Sequence, residues 1–191
     1  MKKILISSVK VLILMTIITG VVYPLFITFA GQALFPDKAQ GSFITENGKT
    51  VGSLLIGQKF EGEKYFRSRP SAVGYNPYPS GASNMGPTSK ELVKFAADKK
   101  NMFIKDNYIK DTVNLPYEML FSSGSGVDPH ISPLAAKLQV ERIAKVRKLN
   151  NSEKENVYKL IDDLTEGRQL GFLGEARVNV LLLNMKLDRI K

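Results

Sequence analysis

The chain has no cysteine, and His130 is its single histidine. Neither a disulfide framework nor a thiolate metal site can form, and one imidazole excludes a multi-histidine metal centre. The lack of thiols suits an oxidising compartment without requiring one. Charge is absent from Val11 to Ala30, VLILMTIITGVVYPLFITFA. A helix of about twenty apolar residues crosses the hydrocarbon core of a bilayer. Lys2, Lys3 and Lys10 precede this run. Basic residues stay on the cytoplasmic side, so the N-terminus is expected inside and the rest of the chain outside. Gly31-Gln32-Ala33 resembles a signal-peptide cleavage site, but the apolar run exceeds the roughly 7–15 residues of a signal core. The expected organisation is a cytoplasmic tip and transmembrane helix over residues 1–33 and a soluble extracytoplasmic domain over 34–191. Pro24 lacks an N–H donor and is expected to kink the helix.

The net charge is +9, from 27 basic against 18 acidic residues; without the three lysines ahead of the apolar run an excess of six remains. That balance favours anionic partners or an anionic membrane surface. Further along, Phe43-Ile44-Thr45 and Thr50-Val51 flank Asn47-Gly48, a dipeptide suited to a tight hairpin turn, with Leu54-Leu55-Ile56 expected to extend the second strand. Thr88 and Glu91 have capping-box spacing and predict a helix to about Asp106 that buries Leu92, Phe95, Ala96, Met102 and Phe103. Ser132 and Pro133 open a helix expected to reach Leu149, with Leu134, Leu138, Ile143, Val146 and Leu149 forming an apolar surface. Gln139 and Arg142 fall within that surface: either a buried polar pair that needs partners or an arginine stem that snorkels to water. Asn151-Ser152 with Glu155 caps a helix carrying the stripe Val157, Leu160, Ile161 and Leu164, stopped at Gly167. Val180, Leu183, Leu187 and Ile190 suggest a final helix from Asn179 to Lys191, with a strand through Val178-Val180-Leu182 as the alternative. The fold class is thus α+β: one N-terminal transmembrane helix, then one mixed α/β soluble domain with a β-hairpin and about four helices.

Catalytic constellations fail their context tests. SSGSGVDPH, Ser122 to His130, holds Ser, Asp and His, but a nucleophile elbow needs glycine where Ser123 stands. Ser122-Ser123-Gly124-Ser125-Gly126 is a candidate anion or nucleotide loop, because Ser/Gly turns can present N–H groups to phosphate; it is equally readable as a flexible connector. YNPYPSGASNMGPTS, Tyr75 to Ser89, has no apolar period, and eleven of its fifteen residues are Pro, Gly, Ser, Thr or Asn. So long a structureless stretch is usually functional or disordered. It reads as an ordered docking surface: its prolines reduce unfolded entropy, and Tyr75 and Tyr78 offer contact area with polar tips. Asn76, Ser83 and Asn84 can satisfy turn backbone, and Arg67 and Arg69 can pair with acidic groups of a partner. The alternative is that the loop packs on its own domain.

Tyr65-Phe66-Arg67-Ser68-Arg69-Pro70-Ser71-Ala72 with YNPYPSGASNMGPTSKEL resembles the signature of the C chain of the potassium-transporting Kdp ATPase, the KdpC family. Further matching strings are Ile56-Gly57-Gln58, Ser125 to Pro133 (SGVDPHISP), Gln139 to Ala144 (QVERIA) and Gly174 to Asn184 (GEARVNVLLLN). Ala176 stands where the family pattern has proline. The resemblance implies a non-enzymatic subunit of an ATP-driven potassium importer, assembled with a potassium-translocating subunit, a P-type ATPase subunit and a small accessory peptide. It implies a role in assembling and stabilising that complex and a catalytic-chaperone effect raising the ATPase subunit's nucleotide affinity. No firmly bound cofactor is expected, with ATP the candidate the resemblance adds; outward topology leaves little ATP for the soluble part to meet. The competing expectation is a membrane-anchored or secreted extracytoplasmic hydrolase.

Overall fold

The computed structural model describes residues 1–46, 48–110 and 114–190. Two compact units result, Met1–Val51 and Gly52–Lys191. The first is dominated by one apolar helical run, Lys2–Leu34. It consists of α1 (Lys2–Ile17), a π-helical turn (Ile18–Val22) and α2 (Tyr23–Leu34). The Tyr23 N–H donates to the Ile18 carbonyl, one residue wider than an α-helical bond. Pro24 sits in the first turn of α2. The missing proline donor is thus accommodated by a widened turn, a common local remedy in long helices. At about 1.5 Å per residue, 33 residues are ample to cross a bilayer. The helix buries no side chain against the rest of its unit, as expected of a surface meant for lipid or a partner. A short helix, α3 (Pro36–Ala39), and a hairpin of β1 (Phe43–Glu46) and β2 (Lys49–Ser53) follow. Asn47 of the expected turn lies outside the described residues, while Gly48 has φ +75°. The second strand stops at Ser53 and does not run through Leu54-Leu55-Ile56: the Ser53 hydroxyl accepts from Leu55 N, and its carbonyl from Ile56 N, turning the chain away.

In the second unit α4 spans Lys90–Asp106. Its cap is Ser89, which accepts from Leu92 N at 3.3 Å, rather than the expected Thr88. Only Phe103 is buried; Leu92, Phe95 and Ala96 are half-buried and Met102 is exposed. The single segment expected from 133 to 149 is two helices, α5 (Pro133–Lys137) and α6 (Val140–Arg147). The joint arises where Gln139 N bonds to Ala136 O, one residue tighter than an α-helical bond. This rotates the apolar face: Leu134 and Val146 are exposed, and Ala135, Ala136, Val140, Ile143 and Ala144 are buried. Next, α7 (Asn151–Asp163) starts at a reciprocal capping box between Asn150 and Glu153, two residues before the Ser152–Glu155 spacing expected. Val157 and Ile161 are its buried stripe.

Asn179 closes β4 (Val178–Asn179) and caps α8 (Val180–Leu187), so the competing strand and helix readings of this region each hold over part of it. Strand β4 pairs antiparallel with β3 (His130–Ile131), His130 opposite Asn179 and Ile131 opposite Val178. Helices α5, α6 and α8 all contact α7. Around them Phe66, Phe103, Met119, Ile131, Val178, Leu183 and Leu187 form one apolar core.

Candidate functional site

Residues 63–71 have no regular secondary structure, yet Phe66 is fully buried. Buried backbone must find partners, and helix side chains supply them. Asn184 of α8 accepts from Phe66 N at 2.8 Å and donates to Phe66 O at 2.9 Å. Gln139 repeats the pattern one residue on: its Oε1 accepts from Arg67 N at 2.8 Å and its Nε2 donates to Arg67 O at 3.1 Å. Two side-chain amides therefore act as a surrogate neighbouring strand. Arg142, 2% exposed, completes the clamp. Its Nε donates to Asn107 Oδ1 at 2.9 Å, and one terminal nitrogen donates to Tyr65 O at 3.0 Å and to Gln139 Oε1 at 2.9 Å. Its other terminal nitrogen donates to Glu63 O. Burial lowers the Arg142 guanidinium to about 10, which leaves it charged at neutral pH. Of the two readings of Arg142, the guanidinium itself is buried and bonded rather than snorkelling.

The clamp aims the residues that follow. Arg67 pairs with Asp106 at 2.5 Å, and Arg69 with Asp128 at 2.9 Å. Burial pushes the Asp128 carboxyl up, but hydrogen bonds from His130 and from Arg69 outweigh it and hold it at about 2. The Tyr75 phenol donates to Arg69 O, and burial raises it to about 12. Tyr75 itself has φ +64°. Asn76 Oδ1 accepts from Tyr78 N at 3.1 Å, forming an Asx-type turn ahead of a cis Tyr78–Pro79 bond. Tyr78 is 87% exposed, Ser83 is half-buried and Asn84 is exposed at φ +54°. The structure thus gathers Arg67, Arg69 and Tyr75, engages both arginines within the chain, and leaves Tyr78 and Asn84 facing solvent.

The Ser122–Gly126 loop is bonded to this same segment. Ser123 N donates to Pro70 O at 3.1 Å, Gly81 N to Ser125 O at 2.9 Å, and the Ser71 hydroxyl to Gly126 O at 2.5 Å. Gly126 (φ +72°) has no room for a side chain: a Cβ would fall 2.6 Å from Gly81 O. These contacts make the Ser/Gly stretch a seam between two loops, in which the Ser123 and Gly126 N–H groups and the Ser123, Ser125 and Gly126 carbonyls are bonded. A cleft of about 550 Å³ lies beside the seam, lined by Arg67, Arg69, Tyr75 and Lys99 over an apolar floor of Phe60 and Phe103. Among the described residues no cluster of His, Cys, Asp or Glu could hold a metal ion.

A model of the family described as K+-transporting ATPase, c chain, matches residues 5–189. The chain belongs to the KdpC family. Similar curated proteins include the potassium-transporting ATPase KdpC subunits of Geotalea uraniireducens (49% identical, 93% of each chain covered) and Koribacter versatilis (44%, 98% of this chain and 95% of the relative). That of Mycobacterium tuberculosis H37Rv is 42% identical over the full length of both chains. The clamp and seam bring together residues from several of the strings that carry the family resemblance: Phe66 to Ser71, Gly81, Ser125, Gly126, Gln139, Arg142 and Asn184. Sequence reasoning singled out Gln139 and Arg142 but missed Asn184, Asn107 and Asp106. A polar Asn184 between the core residues Leu183 and Leu187 was the available signal, since an amide inside an apolar stripe needs a partner.

Proposed function

We propose that this KdpC chain is a non-catalytic accessory subunit of an ATP-driven potassium pump, anchored by its N-terminal helix and holding its soluble unit on the extracytoplasmic side. The observation that carries this reading is an apolar helix of 33 residues with no side chain buried, joined in one chain to a domain whose buried Gln139, Arg142 and Asn184 serve internal bonding. Lys2 and Lys3 ahead of the apolar run support a cytoplasmic N-terminus. The potassium-translocating subunit, the ATPase subunit and the small accessory peptide are the partners. Assembly stabilises them, and raised ATP affinity of the ATPase subunit follows from that assembly. The Ser122–Gly126 loop is compatible with this indirect route: its Ser123 N–H is engaged by Pro70 and its Ser125 and Gly126 carbonyls by Gly81 and Ser71, which ties the loop to the docking segment. The exposed face of the Tyr75–Ser89 loop, Tyr78 foremost, is the part of the loop offered for docking.

Protease accessibility tests the topology. Added protease should remove the soluble unit from intact spheroplasts and spare it in inverted vesicles. The reverse pattern would place the domain beside cytosolic ATP and restore a direct nucleotide role.

A further inference from the structure

Between α7 and β4 the chain leaves the core as a two-stranded arm, residues 165–177. Glu166 pairs with Arg177 and Gln169 with Leu173, both antiparallel. The return strand carries one more residue than the outgoing one between these pairs. Gly174, at φ +76°, lies in that interval, as in a glycine bulge. The tip is Leu170-Gly171-Phe172, with Leu170 at φ +53° and Gly171 at φ +83°. Leu170 is 83% exposed, Phe172 69% and Leu173 48%. Three exposed apolar residues within four positions, Leu170, Phe172 and Leu173, cluster at the end of a hydrogen-bonded arm, and clustered exposed apolar surface marks interaction sites.

Charge selects the partner. The arm's ionic residues neutralise one another: Arg168 pairs with Glu175 at 3.0 Å, and Arg177 with Glu166 at 3.0 Å. A loop built to wedge into an anionic bilayer sets cations around its apolar tip. Here both arginines are engaged inside the arm. A neutral collar around an apolar tip matches an uncharged concave protein surface, and an arm already bonded in shape binds with little ordering cost. We propose that Leu170 and Phe172 form a docking finger that inserts into an apolar pocket on another protein subunit of the same membrane assembly; this rests on the accessory-subunit reading above.

The test uses the full chain in its membrane. Phe172→p-benzoyl-phenylalanine, irradiated before solubilisation, should give an adduct with a co-purifying protein subunit. The double variant L170S/F172S should lower recovery of the other subunits about tenfold, since buried aromatic and leucine anchors dominate interface energetics. Its melting temperature as a purified full chain in detergent should stay unchanged. An adduct with lipid, or none while co-purification persists, overturns the finger and leaves the subunit reading standing. A melting temperature that falls with the double variant makes the tip a folding element and also overturns it. If the wild-type chain recovers no other subunit, the accessory role fails and the finger fails with it.

Discussion

Residues 63–71 and 165–177 both leave the regular helices, and the chain treats them in opposite ways. In the first, the backbone is bonded by side chains from elsewhere: Asn184, Gln139 and Arg142 hold Glu63, Tyr65, Phe66 and Arg67. In the second, the backbone is bonded chiefly within the arm, by Glu166–Arg177 and Gln169–Leu173 pairing, and its apolar residues Leu170, Phe172 and Leu173 face outward. The first segment is therefore part of the core, though it is neither helix nor strand. The second is an appendage that adds little to the core. A string that resembles a family signature can thus serve internal architecture, as Phe66 and Arg67 do, rather than the contact with a partner.

Substitutions should separate the two. Arg142→Ala should have the largest effect, about 3–5 kcal/mol of lost stability in thermal or urea unfolding, because it orphans acceptors at Glu63, Tyr65, Asn107 and Gln139. Gly126→Ala should cost about 2–3 kcal/mol by the same measurement, since the new methyl meets Gly81 O and Val73 at a positive φ. Asn184→Leu should cost about 2 kcal/mol, leaving Phe66 N and O unpaired inside the core. Acid gives a smaller effect. The folded Asp128 carboxyl lies at about 2 against 3.8 ordinarily. Its ion pair therefore stabilises fully above about pH 4, and the contribution fades as pH falls toward 2. Partial exposure limits it to about 1 kcal/mol. Asp128→Asn should flatten unfolding stability over that window. The smallest stability change, within about 0.5 kcal/mol, is expected for Tyr78→Ala and L170S/F172S. A large loss at the tip would erase the distinction between core segment and appendage.

The sequence made legible whatever depends on neighbours in the chain. The uncharged run at Val11–Ala30, the hairpin strands around Gly48 and the Ser132–Pro133 helix start all reflect local rules. The caps fell at Ser89, one residue after Thr88, and at Asn150, two before Ser152, because neighbouring Ser, Thr and Asn residues compete equally well by type. The break at Gln139 was invisible to periodicity, since its cause is distant: the same residue must reach Arg67, 72 positions earlier. The arm escaped notice for the opposite reason. Short pairing around Gly171 and Gly174 has no sustained period of two to read.

The central claim is that an anchored chain without catalysis of its own acts by assembly. Affinity isolation of the tagged full chain from detergent-solubilised membranes of potassium-starved cells tests it most directly. A potassium-stimulated ATPase should co-elute with the wild-type chain, and the chain purified alone should hydrolyse no ATP. Elution of the chain by itself, or ATP hydrolysis by the isolated chain, would contradict the account.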